Sequence, residues 1–149
     1  MSTNTQARPA FGTVLADQMA IATYRNGQWG QHEIRPTGPI EIHPAAHVLH
    51  YASECFEGFK AYRWADGSIH VFRMDKHIER MRQSARLLVL PEPDAKQLAT
   101  MVLTVIDRVR AQVPEPPGAL YLRPMLYGTM PNIGASSAPS NDATLIVLA

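Results

Sequence analysis

Between His47 and Arg86 the chain carries a phenol, an aromatic–carboxylate–glycine turn and an arginine-bearing helix, the parts needed to hold an anion beside an apolar side chain. Arg80 lies off the apolar stripe of a helix predicted from Asp75 to about Leu90, so the core does not claim it. A guanidinium in that position can grip a phosphate with two parallel hydrogen bonds. On spacing alone the residue also fits a solvated helix face, with Glu79 pairing a neighbouring arginine. Tyr51 can offer its hydroxyl to a carboxylate while its ring covers an apolar group, and it equally suits a half-buried core position. In Phe56-Glu57-Gly58 the ring can wall an aliphatic side chain, and Gly58 lets the backbone approach a ligand closely. The plain alternative is a tight bend with Phe56 in the core. Glu57 is expected to be a structural hydrogen-bond acceptor. Tyr121 and Arg123 alternate on a predicted strand, so they share a face suited to a dicarboxylate.

Other constellations carry less. The six histidines lack the paired spacing of a zinc helix, and no carboxylate triad accompanies them. Cys55 is the single cysteine, so no intrachain disulfide can form and a reducing cytoplasm is the expected compartment. Lys60, beside Gly58, is one of only three lysines, with Lys76 and Lys96.

These residues need elements to position them. Asn26-Gly27 predicts a hairpin turn between two short strands, and Ala65-Asp66-Gly67 a second between Phe59–Trp64 and Ser68–Phe72. Ile40-Glu41-Ile42 alternates like a strand, and His47–Cys55 reads as a short helix. Asp75 is the expected N-cap of the Arg80 helix, whose stripe is Met74, Ile78, Met81, Ala85 and Leu88. Pro91 and Pro93 end it. Asp94 with Gln97 predicts a capping box for a further helix, buried through Leu98, Met101, Val105 and Val109. Ala119–Tyr127 reads as a strand that Pro124 confines to an edge or a bulge. Residues 130–141 read as a loop and Thr144–Ala149 as a last strand. The order predicts an α+β domain, an antiparallel or mixed sheet with two main helices packed on one side.

The 149 residues carry a net charge of +1, so no strong field draws the chain to nucleic acid or to an anionic membrane. No apolar run approaches a membrane-spanning length. The first ten residues are small, polar and expected to be disordered, without the apolar core of a secretory signal.

The segments Phe56-Glu57-Gly58-Phe59-Lys60-Ala61-Tyr62, His77-Ile78-Glu79-Arg80-Met81 with Ser84-Ala85, and Tyr121-Leu122-Arg123-Pro124 resemble the branched-chain amino acid aminotransferases, pyridoxal 5'-phosphate enzymes of fold type IV. The resemblance implies that Arg80 binds the cofactor phosphate, that Tyr51, Phe56 and Gly58 line the substrate pocket, and that Tyr121 and Arg123 help to recognise an acidic substrate. It implies that the loop Met130-Pro131-Asn132-Ile133-Gly134-Ala135 reaches the partner subunit of a homodimer, with Ala135 as the contact. The substrates would be leucine, isoleucine or valine with 2-oxoglutarate, giving branched 2-oxo acids and glutamate. Lys60, Lys76 and Lys96 do not match the lysine that carries the cofactor in that family. Residues 11–149 are therefore expected to be its N-terminal domain, with 130–141 an interdomain-type loop and the C-terminal catalytic domain absent. The isolated chain is expected to be inactive, and either to self-associate or to be marginally stable. A D-amino acid aminotransferase or an aminodeoxychorismate lyase is the alternative within the superfamily. A non-catalytic domain binding a phosphate ligand or a partner protein is the alternative outside it.

Overall fold

In the computed structural model, described for residues 10–134 and 138–149, eight strands form one antiparallel sheet with two long helices on one face. The strands are β1 (Gln18–Arg25), β2 (Gln28–Trp29), β3 (Glu33–Pro36), β4 (Glu54–Phe56), β5 (Phe59–Arg63), β6 (Ile69–Val71), β7 (Leu120–Gly128) and β8 (Ala143–Leu148). They run in the order β2-β1-β8-β7-β5-β6, with β3 also on β1 and β4 also on β7. The helices are α1 (His47–Tyr51), α2 (Met74–Leu87) and α3 (Ala95–Arg108). The expected α+β architecture is the observed one.

Alternation along the strands gives the sheet two faces. Toward the helices point Ala20, Ala22, Ala61, Leu122, Leu126, Leu145 and Val147, packed against Ile78, Met81, Ala85, Leu98, Met101, Val102 and Val105. Small residues on β1 let the helix layer approach closely. The far face carries a smaller cluster of Met19, Ile21, Tyr127 and Ile146, with Ile40, Val48, Met125 and Leu148 against it.

Both hairpins form as predicted. Asn26 and Gly27 take φ of 52° and 81°, the left-handed pair that a two-residue turn between β1 and β2 demands. Asp94 caps α3, its side chain accepting from the Gln97 amide at 2.7 Å. The Gln97 side chain does not close the box; it donates to the Gly30 carbonyl at 2.6 Å and ties the first hairpin to the helix layer.

Five local expectations are corrected. Ile40–Ile42 is not a strand; Pro39 and Pro44 flank it, and Ile40 packs on the far-face cluster without a ladder partner. The N-cap of α2 is Arg73, left-handed at φ 50°, and Asp75 sits in the first turn, where it pairs with Arg73 at 3.2 Å. There its charge still complements the helix dipole. The helix stops at Leu87 because Val89 turns left-handed at φ 53°. Val89 N donates to Arg86 O and Leu90 N to Ala85 O, the paired closing bonds of a Schellman end. That end buries Leu90 and leaves Leu88 exposed. The short helix after His47 ends at Tyr51, with Ala52 left-handed, and the chain enters β4.

The fifth correction concerns Pro124. It lies in β7, which pairs with β8 on one side and with β4 and β5 on the other, so it is central. The register runs unchanged through the gap between β4 and β5: Phe56 opposes Met125 and Phe59 opposes Leu122. Glu57 therefore opposes Pro124 and donates its amide to the proline carbonyl at 2.9 Å. The return bond is impossible because proline has no N–H. One rung opens, and the sheet tolerates proline there.

Candidate functional site

The open rung falls within Phe56-Glu57-Gly58, between β4 and β5 on the same partner β7, and successive residues there face opposite ways. Glu57 points to the helices. Its carboxylate is 4% exposed and takes both arms of Arg80, Nε at 2.6 Å and Nη2 at 2.7 Å. His77 Nδ1 donates to the same carboxylate at 3.1 Å. Because a carboxylate only accepts, this contact fixes the proton on Nδ1. The His77 ring stacks on Phe59 at 4.7 Å between centroids. His77 and Arg80 are three apart on α2, so they share one side of the helix. Burial pushes the Glu57 carboxyl up, and the bonds and charges of Arg80 and His77 more than offset it, so it titrates below the ordinary glutamate value. The Arg80 side chain remains 63% exposed, which leaves the rest of its guanidinium facing outward.

Phe56 and Gly58 face the other way, with Tyr121 and Arg123. The Arg123 guanidinium lies 4.1 Å over the Phe56 ring and 5.4 Å from the Tyr121 ring, and its Nη2 donates to the Tyr121 hydroxyl at 3.0 Å. Its Nε is buried without a partner, and among the described residues no carboxylate pairs with it. Gly58 makes this arrangement possible: a Cβ there would overlap the Tyr121 hydroxyl and stand 2.8 Å from its ring carbon Cζ. The close approach that glycine permits is thus to another side chain of the same chain. Lys60 opposes Tyr121 in the ladder, so it shares this face. Phe11 meets the Tyr121 ring edge-on at 4.9 Å.

Tyr51 stands apart from both groups. Its hydroxyl donates to the Ile133 carbonyl, and its ring lies 4.7 Å from that of His47. His47 is buried and spans Ser53 Oγ at 2.8 Å and the Ala138 carbonyl at 3.1 Å. These contacts fasten α1 to the loop after β7, helped by the His47 amide on Met130 O at 3.0 Å. Ala135 lies outside the described residues.

The predicted residues therefore come together as Phe56, Gly58, Tyr121 and Arg123 on one face. Arg80 is placed with Glu57 on the other, and Tyr51 on the loop. Arg80, Tyr51 and Phe56 line none of the five most prominent surface cavities among the described residues, whereas Tyr121 borders one of about 340 Å³ with Phe11. Sequence reasoning missed Phe11, His47 and the contact of Glu57 with His77. Only the last had a local signal, the spacing of His77 and Arg80. Cys55 is half-buried beside Glu54 and Glu57; burial foremost, then those charges, pushes its thiol up to about 11, which makes it a poor nucleophile. No helix among the described residues is long and apolar enough to cross a membrane.

The family described as amino-transferase class IV matches residues 54–149. The branched-chain-amino-acid aminotransferase of Mycobacterium tuberculosis H37Rv is 47% identical over 143 residues, covering 93% of this chain and 38% of that protein. The cytosolic branched-chain-amino-acid aminotransferase of Saccharomyces cerevisiae is 40% identical over 129 residues, covering 85% and 34%. A solved T.th. branched-chain amino acid aminotransferase, complexed with N-(5'-phosphopyridoxyl)-L-glutamate, superposes with a TM-score of 0.64 at 25% identity, covering 85% of this chain and 39% of that one. The Escherichia coli branched-chain enzyme shares the fold, with a TM-score of 0.68 at 23% identity over 89% of this chain and 38% of that one. The chain thus spans between a third and two-fifths of the length of these relatives.

Proposed function

The chain belongs to the class IV amino-transferases, and from that premise we propose that it forms the cofactor-phosphate and side-chain-binding part of a branched-chain amino acid transaminase. The substrates would be leucine, isoleucine or valine with 2-oxoglutarate, in a homodimeric cytoplasmic enzyme. The observation that carries the reading is Arg123, a guanidinium set against the rings of Phe56 and Tyr121 and without a carboxylate partner among the described residues. Both partners of such a reaction must use one site in turn, one with an aliphatic side chain and one with an acidic chain. Two aromatic faces supply apolar contact to the first, and the unpaired cation supplies a charge-assisted bond to the second.

The residues present fit pyridoxal 5'-phosphate. Its phosphate needs a cation with free N–H groups, and Arg80 retains an outward-facing edge after pairing with Glu57. When bound, the cofactor supplies an electron sink for the carbon that loses its proton. Arg80 would hold the phosphate, while Phe56, Gly58, Tyr121 and Arg123 would position the substrate side chain. Tyr51 and Ala135 would bound the pocket from the loop side. Lys60, Lys76 and Lys96 do not match the family's cofactor lysine, so residues 1–149 alone are expected to give no turnover of leucine with 2-oxoglutarate.

Arg123→Gln tests the reading in the enzyme carrying these residues. The KM for 2-oxoglutarate should rise roughly tenfold or more, while that for a branched 2-oxo acid changes less than about threefold, because only the acid loses a charged partner. An equal effect on both substrates would sink the assignment of Arg123.

A further inference from the structure

We propose that Glu57 is a positioning residue that orients Arg80 for its phosphate, and that it acts through geometry and against its own charge. The inference rests on the reading of Arg80 given above and extends it to the residue behind.

The arrangement has three parts. Glu57 is fixed twice over, by its amide on Pro124 O and by burial of its carboxylate against α2. Its two oxygens take Nε and Nη2 of one guanidinium, a fork that removes the rotational freedom of an otherwise exposed arginine. His77 occupies the flank of the carboxylate and is itself stacked on Phe59, so the carboxylate cannot swing away. With Nε and one Nη2 proton engaged, the edge that remains free is built around Nη1. An exposed arginine without this fork would sample many rotamers and pay their entropy on binding.

Charge and geometry make opposite predictions here. A carboxylate beside the guanidinium lowers the local positive potential, so a purely electrostatic account has Glu57 weakening phosphate binding. The positioning account has it strengthening binding. Glu57→Gln is nearly isosteric and removes the charge, so the sign of its effect separates the two.

The experiment uses residues 1–149 labelled with ¹⁵N-arginine, following the Arg80 Nε–H resonance. The probes are inorganic phosphate and pyridoxine 5'-phosphate, which has the ring and phosphate but no reactive aldehyde. Unphosphorylated pyridoxine is the control. In the wild type both phosphates should shift the Arg80 signal saturably and pyridoxine should not. In Glu57→Gln, affinity for both phosphates should fall about tenfold, the size seen when a residue orienting a binding group is lost. Glu57→Asp keeps the charge but loses a methylene of reach, and it should fall by a comparable amount. The Asp variant also keeps the test open if the Gln variant does not fold.

Unchanged or tighter binding in Glu57→Gln overturns the positioning role and leaves the phosphate anchor standing. So does an Asp variant that binds as the wild type does. A wild-type Arg80 signal that ignores both phosphates overturns the anchor and the positioning role together.

Discussion

The two faces of one strand set the lesson of this molecule. On β7, Leu122 and Leu126 point into the helix layer and are fully buried. Their neighbours Tyr121 and Arg123 point to the far face and remain half-exposed, joined to Phe56, which is 55% exposed. The first face is dry and made of interlocking aliphatic residues, so it contributes stability through area removed from water. The second keeps aromatic surface and a cation that has no counter-ion among the described residues, which costs stability. Adjacent residues, a few ångströms apart, thus meet opposite surroundings.

Substitutions on the two sides should behave differently. Leu122→Ala should cost about 2–5 kcal/mol by chemical denaturation, the range for emptying a packed aliphatic site. Arg123→Ala should cost less than about 1 kcal/mol, because the loss of its contacts with Phe56 and Tyr121 is offset by removing a buried Nε that has no partner. Similar losses in the two variants would erase the division. Gly58→Ala probes the seam between the faces. The added methyl meets the Tyr121 phenol, and overpacking of this kind costs about 1–3 kcal/mol. Combining it with Tyr121→Ala should recover most of that loss; simple additivity in the double-mutant cycle would show that the ring is not the obstacle.

Of the two left-handed residues that bound α2, Arg73 and Val89, the valine bears the greater strain. Val89 is β-branched and left-handed, so Val89→Gly should raise stability by roughly 1 kcal/mol in thermal or denaturant unfolding. A destabilised Val89→Gly would mean that the exposed valine makes contacts outweighing its strain.

The smallest effect is in acid. The Glu57 carboxyl is depressed in the folded chain, burial being outweighed by Arg80 and His77. Its contribution is therefore fully present above the ordinary glutamate value and is lost as pH falls through the lower folded value. The stability gap between wild type and Glu57→Gln should narrow between neutral pH and about pH 3. A gap independent of pH would argue against an ionised Glu57.

Local chemistry was legible in the sequence, and partnership across the chain was not. The Ile78–Met81–Ala85 stripe, the Asp94 cap and both hairpin turns depend on residues within a few positions, and each formed as read. Asp75 misled because an aspartate is as well placed in the first turn as at the cap, and nothing nearby announces a left-handed Arg73. Pro124 misled because its missing donor is harmless only opposite one unpaired rung, whose partner lies 67 residues away at Glu57 (124 − 57). The types in the candidate site were visible: a cation, a phenol, a ring and a glycine. Their division between two sheet faces follows from register, which no single strand encodes. That Gly58 makes room for Tyr121 could be learned only once β5 and β7 were laid side by side.

Pro124 has one more implication. An absent hydrogen there leaves the carbonyl of Glu57 without its ladder donor and keeps two short strands from fusing into one. Any other amino acid would restore the donor and let the zipper close through residue 57. The glutamate's backbone would then be held to β7 by two bonds, while α2 would still hold only its carboxylate. In this view the arginine's aim is governed from the middle of the sheet, by a ring whose contribution is a bond it declines to make.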